Sequence, residues 1–339
     1  MKDNKMIKDE ILSRIQKKFP LVAKPFASIA DELDMSEAEV LEILQAEKKA
    51  GIIRQTSAIF DTKRLGYKSS LVAFKVQKEK IDAAVEIINS HPGISHNYER
   101  NHEFNIWFTL GVSPDSKLGL DKTVEILADL TEADEFIMLP TLKLFKINVK
   151  LNTTGKDEKK EKVKKVVHTE VNMTPLHHDI VRKAQYDIEM VSEPFKNIIE
   201  ELDISYDTFF GVLKELQEAG YMRRFASILN HRKAGFNANA MVVWDVEDGE
   251  KGEAIGASAA EFSAVSHCYL RPKYPNWPYN LFTMVHGKTR EETNGIIAEM
   301  ASEIDSKSHM PLYSSREFKK VRIEYFTPAD AAWEAKYIK

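Results

Sequence analysis

His267, Tyr269 and Arg271 alternate at the start of the run SHCYLRPKYPNWPYNLFTMVHG, Ser266 to Gly287. On an extended strand, residues i, i+2 and i+4 line one face, so an imidazole, a phenol and a guanidinium would point into one space. Those groups suit an anionic ligand. The arginine fork grips carboxylates bidentately at any working pH, and an imidazole titrates near neutrality and can move a proton. The same run holds His286, Trp277, Tyr279, Phe282 and the chain's single cysteine, Cys268. A surface loop rarely exposes so much aromatic area, and a plain core strand rarely admits two histidines and an arginine. The mixture reads as one wall of a pocket, with Cys268 on the opposite strand face as a packed core thiol.

A second set of such residues exists because the chain is written twice. VAKPFASIADELDMSEAEVLEILQAEKKAGIIRQTSAIFDTKRLGY (Val22 to Tyr67) lies over VSEPFKNIIEELDISYDTFFGVLKELQEAGYMRRFASILNHRKAGF (Val191 to Phe236) without a gap, with about 14 of 46 positions identical. Further on, ISHNYER meets VSHCYLR, so His96, Tyr98 and Arg100 repeat the trio. FNIWFTLG meets YNLFTMVHG after a short insertion that carries Pro275, Trp277 and Pro278. Arg223 has a counterpart in Arg54, whereas its neighbour Arg224 does not. His231 and His286 occur only in the second copy, opposite Thr62 and Gly111 or its neighbour. Histidines confined to one copy place the main centre nearer the second.

Positioning these groups requires the same elements in both halves. An amphipathic helix (Met6 to Lys18; Leu176 to Met190) precedes a short one opening at Pro25 or Pro194, where proline suits the first turn. Ser36 and Ser205 are N-cap residues for a third helix that stops at Gly51 or Gly220. Three helices and a two-stranded wing describe a winged helix-turn-helix, and the pattern that follows, βαββαβ, is the ferredoxin-like sandwich. The expected fold is therefore α+β, a tandem duplication of these two domains. Its boundaries fall at 1–66, 67–151, 173–235 and 236–330, with a Lys/Glu-rich linker at 152–172.

Composition narrows the function. No apolar run approaches the length of a membrane span and the N-terminus is charged, so a cytoplasmic protein is expected. A lone cysteine excludes an intramolecular disulfide and a cysteine-cluster metal site; no metal site is expected. The net charge of −4 gives no general attraction to nucleic acid. The first recognition-type helix carries Glu37, Glu39, Glu42 and Glu47, and the second shows Tyr206 and Phe209 with a single lysine, Lys214. Acid on that face repels phosphate, so no DNA partner is expected and the helix-turn-helix reads as scaffold.

The wing motif AGIIRQTSAIFDTKRLGY is similar to that of the Lrp/AsnC regulators, while GYMRRFASILNHRKAGF and VSHCYLRPKYPNWPYNLFTMVHG resemble the siroheme decarboxylases over nearly the whole chain. Those enzymes are built from two related subunits, so the resemblance implies a pseudo-heterodimer fused in one chain, with further homodimerisation left open. It implies removal of CO2 from the C12 and C18 acetates of siroheme, giving 12,18-didecarboxysiroheme on a route to haem or haem d1. No redox cofactor is required, and iron enters only with the substrate. On this reading His267 or His231 donates the proton, or a histidine binds the substrate iron axially. Arg223, Arg224 and Arg271, with Arg54 and Arg100 from the first copy, hold carboxylates. Tyr269, Trp277, His286 and His96 line the site. The other readings are a ligand-sensing Lrp/AsnC-type transcription regulator and a silent tetrapyrrole carrier.

Overall fold

The structure is a computed structural model that describes residues 4–17, 19–147, 169–229 and 238–338. Its elements run α1 (Asn4–Lys17), α2 (Pro25–Leu33), α3 (Glu37–Lys49), β1 (Ile53–Phe60), β2 (Lys68–Lys75), α4 (Ile81–Asn89), β3 (Ile94–Arg100), β4 (Ile106–Val112), α5 (Gly119–Leu130), β5 (Glu135–Leu139) and β6 (Lys143–Ile147) in the first copy. The second copy supplies α6 (Pro175–Ala184), α7 (Lys196–Leu202), α8 (Tyr206–Glu218), β7 (Met222–Leu229), β8 (Ala238–Asp245), α9 (Glu250–Glu261), β9 (Val265–Leu270), β10 (Leu281–Gly287), α10 (Arg290–Glu303) and β11 (Ser308–Lys320), and α11 (Pro328–Glu334) closes the chain. No described helix is long and apolar enough to cross a membrane. His231 and most of the expected linker, residues 152–168, lie outside the described residues.

These elements divide into two compact units. One gathers the helices and first strand of both copies, α1–α3 with β1 and α6–α8 with β7, together with Glu324–Pro328. Its caps follow the sequence. Ser36 and Glu39 form a reciprocal capping box on α3, Ser205 caps α8, and Gly51 and Gly220 end these helices at positive φ. Phe19, Phe26, Phe195, Phe209 and Phe225 pack edge-on or tilted at the centre, each burying a side chain worth on the order of 2 kcal/mol. Phe209 is 0% exposed, which corrects its reading as a surface residue: it packs on Phe195 at 5.6 Å. The first helix of the second copy stops at Ala184 rather than Met190, because the following backbone leaves the helix to join β1, with Ile188 N–H donating to Thr56 O at 2.9 Å.

The wing differs from expectation in its pairing. No wing hairpin forms within a copy among the described residues; β1 instead runs antiparallel to β7 of the other copy, from Ile53 opposite Leu229 to Phe60 opposite Met222. The two half-wings satisfy each other's backbone groups.

The second unit is a nine-stranded antiparallel sheet in the order β5-β2-β4-β3-β11-β8-β10-β9-β6. Each copy contributes four consecutive places in the ferredoxin-like order, fourth strand, first, third, second. The fourth strand of each copy is long and serves both. β11 pairs through Ser308–Tyr313 with its own β8 and through Ser314–Lys320 with β3 of the first copy. In the first copy this strand is broken into β5, which pairs with β2, and β6, which pairs with β9. The final strand of the second copy thus runs from Ser308 to Lys320, after which the backbone leaves the sheet.

Both sheet faces are covered. α4 and α5 close one face of the first copy over Val72, Phe74, Ile106, Phe108 and Leu110, and α9 and α10 close the matching face of the second over Val242, Trp244, Leu281 and Val285. The opposite faces share one cluster with members from both copies, among them Ala73, Trp107, Leu139, Met241, Val243, Phe282 and Leu312. That shared interior is where the polar trios project.

Candidate active site

β3 and β9 place the two trios equivalently. Asn97 and Cys268 alternate with them and turn to the helices: Asn97 donates to Asn89 Oδ1 at 3.0 Å, and Cys268 Sγ lies 3.4 Å from Gly256 O, with burial raising its thiol pKa to about 12. Cys268 is the packed core thiol expected. The residues between them, His96, Tyr98 and Arg100 on β3 and His267, Tyr269 and Arg271 on β9, therefore face the shared interior. His96 stacks on Tyr98 with centroids 6.3 Å apart, and His267 on Tyr269 at 6.2 Å. The likeness extends to the arginines: Arg100 donates to Leu312 O at 2.8 Å, and Arg271 donates to Leu139 O, the same position in the other copy.

Both guanidiniums are costly where they stand. Their Nε atoms are buried without a hydrogen-bond partner, and neither faces a carboxylate among the described residues. Arg271 keeps part of its side chain accessible, while its Nε is enclosed; Arg100 is buried throughout. Burial brings each pKa down to about 10, opposed weakly by the adjacent tyrosine, so both remain cations at neutral pH. Tyrosine faces partly replace a counterion, with Arg271 over Tyr269 at 4.9 Å and over Phe282 at 5.3 Å.

The imidazoles are the proton-active groups of this interior. Burial lowers the pKa of His267, and the charge of His96 lowers it further, which puts the histidines of the two copies within electrostatic reach of each other. His96 is lowered by burial and by Lys320. His267 Nδ1 lies 2.7 Å from Ser266 Oγ, which lies 2.5 Å from His286 Nε2; His286 Nδ1 lies 2.8 Å from Asn239 Oδ1. His286, expected as a lining residue, thus sits behind His267 in a hydrogen-bonded chain.

Other expected residues are placed differently. Trp277 is 1% exposed and enclosed by His102, Phe104, Trp107, Tyr279 and Phe282, so it supports the wall from behind and presents no face of its own. Arg54, Arg223 and Arg224 belong to the helical unit, on β1 and β7. Arg223 is engaged by Asp61 at 2.9 Å, at variance with a fork held open for substrate, while Arg54 and Arg224 are exposed. Sequence reasoning passed over Ser266 and Ser95, although an SH pair in both copies was a visible signal, and it had no means to find Asn239, Leu139 or Leu312, which strand register alone brings in.

Comparison with known proteins gives a consistent picture. A family profile described as AsnC-like ligand binding domain matches residues 64–146 and 233–319, and one described as siroheme decarboxylase NirDL-like HTH domain matches residues 8–54. The chain is 39% identical over 325 residues to a siroheme decarboxylase of Hydrogenobacter thermophilus, covering 96% of both chains. It is 43% identical over 144 residues to a siroheme decarboxylase beta subunit of Methanosarcina barkeri, covering 42% of this chain and 94% of that one. The crystal structure of the siroheme decarboxylase NirDL in complex with an iron-uroporphyrin III analogue superposes with a TM-score of 0.80 at 34% identity, over 97% of this chain and 98% of that one.

Proposed function

We infer that this chain, which belongs to the siroheme decarboxylase family, is a carboxy-lyase that takes siroheme to 12,18-didecarboxysiroheme inside the sheet unit, where the trios of its two subunit-like halves converge. The observation that supports the site best is the pair of arginines, Arg100 and Arg271, one from each copy. Each is held as a cation whose Nε is buried and unpartnered. A carboxylate entering beside them gains a charge-assisted hydrogen bond and removes that unmet desolvation.

The chemistry asks for a held carboxylate, a place to delocalise charge and one proton per CO2. Loss of CO2 from an acetate arm leaves the electron pair on a methylene carbon conjugated with the macrocycle, which the tetrapyrrole delocalises. Arg271 and Arg100 hold the non-reacting carboxylates, and Met284 and Tyr269, both partly accessible, offer apolar surface against the ring face. Desolvation of the reacting carboxylate among these groups favours neutral CO2 over the anion. His267 gives its Nε2 proton to the methylene carbon and completes a methyl group. Its pKa is low in the free protein because burial disfavours imidazolium, and an anionic substrate beside it raises that pKa, so the acid forms where it is used. Two such cycles consume two protons and release two CO2. The helix-turn-helix layer serves as scaffold: Glu37, Glu39, Glu42 and Glu47 occupy α3 where a DNA reader needs cations.

The test is anaerobic incubation with siroheme followed by mass spectrometry of the product, which should lack two CO2 units. His267→Ala should abolish that loss; full activity in His267→Ala would overturn the assignment of His267 as the proton donor.

A further inference from the structure

β6 and β11 flank the two trios in the same way. Leu144 stands opposite Tyr269 and Ile147 opposite His267, while Glu317 stands opposite Tyr98 and Lys320 opposite His96. Each pairing carries the same break in register, between Leu144 and Lys146 and between Glu317 and Lys319. LFKI (Leu144 to Ile147) and EFKK (Glu317 to Lys320) are therefore equivalent segments of the two copies. Their inner members agree. Phe145 packs on the core under α9 and α10, and Phe318 on the core under α4 and α5. Lys146 Nζ donates to Phe262 O at 2.9 Å and Lys319 Nζ to Asn89 O at 3.1 Å, each at the C-terminal end of a covering helix.

The outer members differ. Residues directly opposite across antiparallel strands share a sheet face. The trio face therefore meets Leu144 and Ile147, each nearly half exposed, in one half, and Glu317 and Lys320, both exposed and 3.8 Å apart, in the other. The charges reach the site groups. Burial lowers the pKa of His96 and Lys320 lowers it further, and burial together with the Glu317 carboxylate pushes the Tyr98 phenol up to about 12. β6 sets hydrocarbon beside His267 where β11 sets charge beside His96.

This difference matters because the rest of the site is repeated. The trios, their ring stacking and the arginine-to-carbonyl bonds recur in both halves, so on their own they would accept a macrocycle either way round. Siroheme is not symmetric, and it carries further acetate arms besides the two that are lost. Discrimination between the two ways of binding needs groups that differ between the halves.

We propose that Lys320 and Glu317 on one side, and Leu144 and Ile147 on the other, are the specificity-determining residues that fix the sense in which siroheme enters this doubled site. This rests on the site reading above, with His267 as the acid. A carboxylate arm beside Lys320 is stabilised as the anion, which raises its barrier to losing CO2, so that side holds an arm that is kept. Glu317 repels an arm that reaches past Lys320 toward Tyr98. An acetate between Leu144 and Ile147 is stripped of water and gains nothing as an anion, so that side, where His267 stands, takes the arm that leaves. Each of the two reacting acetates is presented to the β6 side in turn.

The experiment uses two double variants alongside the unaltered chain under anaerobic conditions. Glu317→Leu/Lys320→Ile gives the first copy the flank of the second, and Leu144→Gln/Ile147→Gln wets the second flank without adding a charge beside His267. Siroheme affinity is titrated by absorbance at low and high salt, folding is followed by circular dichroism, and the position of each lost CO2 is read by proton NMR of the demetallated product. The β11 variant should bind about fivefold more weakly at low salt, the size of an exposed ion pair, and its affinity should depend less on salt. Its monodecarboxylated product should become a mixture of positional isomers, since the ring now enters either way round. The β6 variant should bind within about twofold of the unaltered chain and lose CO2 about tenfold or more slowly. An unchanged isomer pattern with unchanged affinity in the β11 variant, or an unchanged rate in the β6 variant, overturns the proposal. Undiminished siroheme affinity in Arg271→Met overturns instead the site reading on which it stands. If a double variant does not fold, Lys320→Gln and Ile147→Gln, single changes at accessible side chains, decide on the same readouts.

Discussion

Arg100 donates through Nη1 to the carbonyl oxygen of Leu312 at 2.8 Å, across a strand boundary between the two copies, while its own Nε stays unpartnered. Arg271 repeats the arrangement with Leu139. A carbonyl is a weak substitute for a counterion, so each guanidinium is held in the interior at a cost to the fold.

Arg100→Met and Arg271→Met should therefore stabilise the chain while disabling it. Replacing a buried charge by a hydrophobe of similar volume is neutral to favourable, here roughly 1–3 kcal/mol. Thermal unfolding should shift upward, and siroheme affinity should fall by more than tenfold for loss of a charge-assisted pair. A variant that loses both stability and affinity would place these arginines in the architecture alone.

A second prediction concerns acid. His91 is 1% exposed, accepts the Gly93 N–H on Nδ1 at 2.9 Å and lies against Trp333 at 4.4 Å. Burial, aided by the Lys319 charge, lowers its pKa from 6.5 to about 4. A histidine whose pKa falls on folding is neutral in the native state and costs stability when the unfolded chain can take the proton. Its contribution is fully present above about pH 6.5 and is lost as pH falls toward 4, amounting to about 3 kcal/mol at the lower end. The unfolding temperature measured across that window should drop, and His91→Phe should flatten the part due to this residue.

Gly93→Ala should be among the most damaging single substitutions in the sheet unit. A Cβ at Gly93 would stand 1.9 Å from the carbonyl oxygen of Gly111, and Gly111 N–H already donates to Gly93 O at 2.9 Å. Backbone cannot swing aside as a side chain does, so β4 must part from the turn before β3, at a cost of roughly 2–4 kcal/mol. Gly111→Ala meets only the end of Ile323 and should cost far less. Urea unfolding midpoints of the two variants, side by side, decide the point.

The duplication, the capped helices and the alternating trios were legible in the sequence because each is a local pattern. Ser36, Gly51 and Pro25 act within one turn, and His267, Tyr269 and Arg271 share a face by strand period alone. What stayed hidden depends on partners far along the chain. Nothing near Ile53 says that it pairs with Leu229, and nothing near Trp277 says that His102, Phe104 and Trp107 of the first copy close over it. Arg223 looked like an open cation because Asp61, its partner, lies 162 residues away. His286 looked like a lining group because its hydrogen bond to Asn239 arises only from the β8–β10 register.

The exchange of strands between copies bears on how the chain is made. β1 waits for β7, β3 waits for β11 and β6 waits for β9, so the first half leaves the ribosome with three strand edges open. Closing them joins segments separated by well over a hundred residues, and such pairings form slowly and leave sticky edges exposed meanwhile. Synthesis of both halves on one message guarantees that the complementary edges arrive together and in equal number, which two separately translated polypeptides must achieve by diffusion.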